Sequence, residues 1–140
     1  MNSNHTHFNH EKLEVYQLSL QFIEWLNPLW NRIRRNKNIA DQLDRASISV
    51  PLKLAEGNGK SYPKDRRRYF EIARGSTLEC SSCLDVITIK RLLNKEDVVE
   101  GQSLLLSIVK MTTKLSQSAL NKISEDKFPT AMTHVNKYIS

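Results

Sequence analysis

Long apolar runs are missing from this chain of 140 residues. Nowhere do the roughly 20 consecutive apolar residues of a helical membrane span occur. The opening stretch from Met1 to His7 is polar and has no hydrophobic signal core, so the expected compartment is the cytoplasm. Glycine and proline are scarce, four of each, which excludes collagen-like and low-complexity chains. Histidine is absent between residues 11 and 133, there is no glycine-rich phosphate loop after a strand, and no nucleophile has a partnered base. Enzymatic chemistry therefore has little to work with, and no cofactor is expected. Cysteine is limited to Cys80 and Cys83. Their C-x-x-C spacing suits a disulfide or a shared metal, but no second pair completes a four-ligand zinc site. Because they fall within a helical pattern, packing is the preferred reading. His5, His7 and His10 crowd a polar terminus of the kind that frays, and no native metal role is assigned to them.

What is present is an ordinary globular composition, 39% hydrophobic and 26% charged, too apolar for a disordered polyelectrolyte. One domain is expected at this length, and roughly two-thirds of its surface can be buried without disulfides or metals. Twenty-one basic residues face 15 acidic ones, for a net charge of +6. Residues 1–93 hold 15 of the basic and 10 of the acidic groups, so any basic surface belongs there. Such an excess favours phosphate-bearing partners.

Apolar residues recur at steps of three and four from end to end, and no strand pattern competes. From Glu11 to Arg35, Leu13, Tyr16, Leu20, Ile23, Trp30 and Ile33 form one row, and Val15, Leu18, Phe22, Trp25 and Leu29 a second. Two apolar faces on one helix require two neighbours or another subunit. Pro28 predicts a kink there, or a restart capped by Asn27. A second helix is expected from about Ile39, capped by Asn38, with Leu43, Ala46, Val50 and Leu54 as its core face, a bend at Pro51, and an end at Gly57 or Gly59. The third starts after Ser61 or Tyr62, tolerates Pro63 in its first turn, and runs to about Leu93. Gly75 within it marks an expected close approach between helices. Asn94 with Asp97 caps the fourth, whose Val98, Gly101, Leu105, Ile108, Thr112, Leu115 and Ala119 suit a bundle seam. Short links imply an all-α, antiparallel up-down-up-down four-helix bundle over residues 11–122, between a flexible tail at 1–10 and a mobile tail at 123–140.

Three stretches carry a family resemblance: Leu13-Glu-Val-Tyr16, the run from Gln42 to Gly57 with Pro51 followed by Leu54-Ala-Glu-Gly57, and Ala73-Arg-Gly-Ser76 with Glu79. The chain resembles the four-helix-bundle family of proteins encoded in intervening sequences of bacterial 23S ribosomal RNA genes. Lys53 stands where the family usually has Asn, and Pro28 also departs from its pattern. The resemblance implies assembly into a five-membered ring. It also implies kinship with the accessory protein of diversity-generating retroelements, which binds nucleic acid and a reverse transcriptase.

Two basic clusters are candidate nucleic-acid contacts. Arg32, Arg34, Arg35 and Lys37 end the first helix, and Lys60, Lys64, Arg66, Arg67 and Arg68 surround the start of the third. Alternating helices place the clusters at opposite poles. The first cluster is equally well read as cations favoured by a helix C-terminus, whereas three arginines in the first turns of a helix oppose its dipole and ask for a partner. Five pooled copies would carry about +30, enough for strong counterion-release binding. Gln42, Arg45, Ser49, Glu56, Arg74 and Glu79 are polar residues on apolar helices. They are expected to form register-setting or interface contacts, with Arg45 or Arg74 paired to Glu56 or Glu79. Tyr62 and Tyr69 are the best-placed aromatics for base contact. The expected function is a non-enzymatic homo-oligomer, as a pentamer, that binds RNA or DNA backbone without a membrane. The alternative is a scaffold docking a nucleic-acid enzyme.

Overall fold

The three- and four-residue apolar steps become helix throughout the computed structural model, which describes residues 8–127. Helix α1 spans Glu14–Leu26, a 3-10 turn covers Asn27–Leu29, and a short α2 follows at Trp30–Ile33. Helix α3 is Lys37–Gly59, α4 is Pro63–Ile89, and α5 is Val99–Lys127, entered through a 3-10 turn at Lys95–Val98. Among the described residues there is no strand, and no helix is long and apolar enough to cross a membrane.

Pro28 produces the expected break, but Asn27 does not cap the restart; it continues α1 in helical conformation, and no side chain caps the 3-10 turn. The cap of α3 lies two residues before the expected Asn38. Asn36 is extended, and its side-chain oxygen accepts from the Ile39 N–H at 3.3 Å. Pro51 sits buried inside α3, which continues past it to Gly59. The Ser47 hydroxyl donates back to the Asp44 carbonyl at 2.9 Å and does not replace the amide that Pro51 lacks. At the start of α5 the expected capping box is complete. The Asp97 carboxylate accepts from the Asn94 N–H at 2.8 Å, while the Asn94 side chain accepts from the Asp97 backbone. Helix α5 then continues to Lys127, past the boundary expected at Lys122; residues 128–140 lie outside the described part, as do residues 1–7.

Cross-helix contacts give the topology. Arg45 meets Glu79, Ser49 meets Ser76, and Gly57 meets Phe70, so numbers rise on α3 as they fall on α4. Arg74 meets Thr113 while Ser81 meets Gln102, and Arg32 meets Asp97 while Trp25 covers Gly101. Neighbouring rods therefore run in opposite directions. The core takes one line from each: Val15, Phe22 and Leu26; Leu43, Ala46, Val50 and Leu54; Phe70, Ala73, Cys80, Leu84 and Ile87; Leu105 and Ile108. Helix α1 packs within the chain against both α3 and α5, with Trp25 and Trp30 partly buried against the core and Leu20 left exposed. Two neighbours in the same chain thus meet the first of the alternatives that its two-faced pattern offered. The large apolar side chains left exposed on α3 and α4 include Ile48, Leu52, Ile72, Leu78, Val86 and Ile89.

Two glycines are required by contact, and neither is Gly75, around which a Cβ would meet open space. At Gly57 a Cβ would come within 2.9 Å of the Phe70 ring, so the missing side chain lets the end of α3 close on the start of α4. At Gly101 it would run into the Trp25 ring.

Helix α4 stops at Ile89 instead of Leu93 because Arg91 is left-handed, with φ 60°. The Leu92 N–H donates to the Ile87 carbonyl and the Arg91 N–H to the Thr88 carbonyl, the paired bonds of a Schellman end. A side chain at that φ costs about 1–2 kcal/mol. Arg91→Gly is therefore expected to raise stability by up to about 1 kcal/mol, the flexibility it adds to the unfolded chain offsetting the rest. A denaturant midpoint that does not rise would show that Arg91 is held there by contacts worth as much as the strain.

Candidate nucleic-acid interface

The two basic clusters occupy opposite poles and are built differently. At the pole where α2 passes to α3, three of the four cations are engaged within the chain. Arg32 reaches across to Asp97 at 2.8 Å, Arg35 donates to the Arg32 and Leu92 carbonyls, and Lys37 pairs with Asp41 at 3.0 Å. Arg34 lines a groove of about 280 Å3 with Trp30, Ala40, Asp41 and Asp44. This cluster stitches the α2–α3 link to the α4–α5 link. Both alternatives remained open in the sequence, because Arg32 and Asp97 are 65 positions apart.

The stitch is sensitive to acid. The Asn94 N–H, and after it the Arg32 guanidinium, hold the Asp97 carboxyl below its ordinary range. A carboxylate lowered on folding adds stability above its unfolded value, near pH 4, and loses it as pH falls through the folded value. Asp97→Asn is expected to flatten that part of the acid limb in a thermal-midpoint titration. An unchanged limb would mean that other carboxylates carry it.

At the pole where α3 passes to α4, the chain turns between Gly59 and Pro63, and the cations collect around aromatic rings. The Lys60 ammonium lies 5.2 Å from the centre of the Tyr69 ring; Lys53 Nζ and the Arg68 guanidinium each lie at 5.7 Å from it. Arg66 sits 5.7 Å from the Phe70 ring. Each such contact is worth about 0.5–1 kcal/mol at an exposed site and fixes where the charge sits. Lys53 also pairs with Glu56 at 3.2 Å. Among the described residues Lys60, Lys64, Arg66, Arg67 and Arg68 close no salt bridge, although Asp65 and Glu71 lie on the same stretch. The Nε of Arg67 is buried without an acceptor. Three arginines in the first turns of α4 also add to the positive end of its dipole. Lys60, Arg66 and Arg68 are thus held by rings, and Lys53 is the cation of this pole that closes a salt bridge among the described residues.

The remaining candidate residues lie along the α3–α4 junction. Arg45 meets Glu79 at 3.5 Å and also bonds Gln42, the one expected interhelical pair that forms; it is exposed and worth about 0–1 kcal/mol. Glu56 turns to Lys53, and Arg74 donates to the Thr113 hydroxyl at 3.0 Å. Ser76 donates to Ser49 at 2.9 Å. Sequence reasoning did not place Lys53 at the basic pole, and its only signal was a lysine at a position the resembled family usually fills with Asn. Cys80 and Cys83 are free and buried. Burial, reinforced by the negative field of Glu79, pushes both thiols up and away from the reactive thiolate.

Comparison with known families matches residues 11–114 to the family described as 23S rRNA-intervening sequence protein. The chain belongs to that family. No individual curated protein matches it. The match takes in α1 to α4, both poles and much of α5, so each feature described above falls within the family's common domain or at its edge. In this intervening-sequence protein the Pro51 to Gly57 stretch ends at the contact on Phe70, which places the basic pole directly against the segment that carried the resemblance.

Proposed function

We propose that the protein is a non-enzymatic, oligomeric bundle that binds RNA or DNA backbone through Lys60, Lys64, Arg66, Arg67 and Arg68, with little sequence specificity. The observation that carries this reading is a group of five cations at one pole, three of them (Lys60, Arg66 and Arg68) set on aromatic rings and none closing a salt bridge among the described residues. Asp65 is the acid in the first turn of α4, and the cations that outnumber it there oppose the helix dipole unless an anion arrives. Phosphate contact meets that demand and fixes position without reading bases.

Assembly rests on the large apolar side chains left exposed along α3 and α4, among them Ile48, Leu52, Ile72 and Val86. Exposed apolar surface of this kind is what a second copy would cover, and a ring of five would bring five basic poles together. Binding of a labelled structured RNA over a salt series, with light scattering on the same preparation, tests both parts. Affinity that falls steeply with salt supports the reading. No binding at low salt would leave a scaffold that docks a nucleic-acid enzyme such as a reverse transcriptase, and a stable monomer at micromolar concentration would remove the ring.

A further inference from the structure

Resting on that reading, we infer that the α3–α4 pole takes unpaired strands in preference to duplexes, with Tyr62 as the surface on which a base stacks. Tyr62 is 72% exposed, the largest ring surface the pole offers to solvent. Its backbone is extended (φ −97°, ψ 134°), it makes no side-chain cap bond, and Pro63 behind it fixes the entry into α4. The ring is therefore mounted on stiff backbone, in a link only three residues long between Gly59 and Pro63. Lys60 and Lys64 lie two positions to either side. The other rings are occupied: cations sit over Tyr69, and Phe70 is buried against Gly57 beneath Arg66.

A lone exposed aromatic is unremarked on most surfaces. This one is flanked in the chain by Lys60 and Lys64, at the pole whose cations would hold a phosphate, and a nucleotide whose phosphate is held there brings its own base within reach. In a duplex the base faces are stacked on one another and closed to a side chain. An unpaired strand presents them, and base–aromatic stacking strengthens binding by about fivefold to a hundredfold per base. Charge alone pulls the other way, because a duplex offers the denser row of phosphates. A preference for single strands therefore has to come from the ring.

The test is fluorescence anisotropy at one fixed salt concentration with three labelled probes of about 20 nucleotides or base pairs: oligo(dT), oligo(rU) and a mixed-sequence DNA duplex. Wild-type protein is expected to bind both single strands at least fivefold more tightly than the duplex, and similarly to each other, since the ring reads a base face and not a sugar hydroxyl. Tyr62→Ala should erase or reverse that preference while duplex binding stays unchanged. Tyr62→Phe should keep it. An exposed ring can be truncated without unfolding the bundle, and circular dichroism verifies this. Equal wild-type affinity for strand and duplex, or a Tyr62→Ala loss of the same size on both, overturns the inference and leaves backbone binding standing. Failure to bind any probe overturns the backbone reading, and this inference with it.

Discussion

Replacing Arg66, Arg67 and Arg68 together with alanine is expected to flatten the salt dependence of nucleic-acid binding by about two to three units of log affinity per log salt. Each phosphate contact contributes a slope of about 0.9 on duplex DNA and about 0.7 on single strands. Between 50 and 200 mM salt the wild type should thus lose about 40-fold more duplex affinity than the triple variant. None of the three arginines closes a salt bridge among the described residues, so their removal costs the fold little beyond the ring contacts of Arg66 and Arg68. It also relieves repulsion at the start of α4, and thermal stability should hold or rise slightly at low salt. A control with Arg32, Arg34 and Arg35 changed to alanine separates the poles. That variant should lose stability through the broken Arg32–Asp97 stitch, with only a minor change in salt slope. Equal loss of slope in both variants would mean that binding follows net charge and has no address.

The second large effect concerns Trp25 and Gly101. Trp25→Ala removes a ring packed on α5 and should cost about 3 kcal/mol, the low end for such truncations because the ring is only partly buried. Gly101→Ala adds a methyl group in the space the Trp25 ring now fills. Overpacking of that kind costs about 1–3 kcal/mol, against a gain of about 1 kcal/mol in helix propensity. The net expected result is a loss of up to about 2 kcal/mol, read as a thermal midpoint lower by up to several degrees. In the Trp25→Ala background the obstacle is gone, and the same Gly101→Ala change should become stabilising by up to about 1 kcal/mol. The reversal of sign is the measurement. An identical effect in both backgrounds would show that Gly101 is needed for some reason other than the ring above it.

These cases show what could be read along the chain and what could not. The helices, their core faces and the capping box of Asn94 and Asp97 are local matters, since each depends on residues three or four positions apart. The core lines of α3, α4 and α5 accordingly lie where the periodicity puts them. Glycine was not legible in the same way. Gly75 and Gly101 look alike in their helices, and only the partner across the groove distinguishes open space from an indole ring. The stop at Arg91 was hidden because a left-handed residue is usually glycine, and here it is arginine. Of the two basic clusters, composition could not say which was already neutralised; that depended on Asp97 arriving from the far end of the chain. The Tyr69 ring gathers Lys53 from α3, Lys60 from the link and Arg68 from α4, an arrangement no linear motif records.

Both tryptophans of the chain, Trp25 and Trp30, belong to the first rod, at the end of α1 and in α2. The most extensive contacts, by contrast, join helices consecutive in the chain, α3 with α4 and α4 with α5. Contacts between sequence neighbours close early, whereas the packing of α1 is complete, and Trp25 covered, only once α5 arrives from the opposite end of the polypeptide. Indole emission will therefore act as a clock for the last docking step, lagging behind the far-ultraviolet signal of helix formation when the chain is refolded from denaturant.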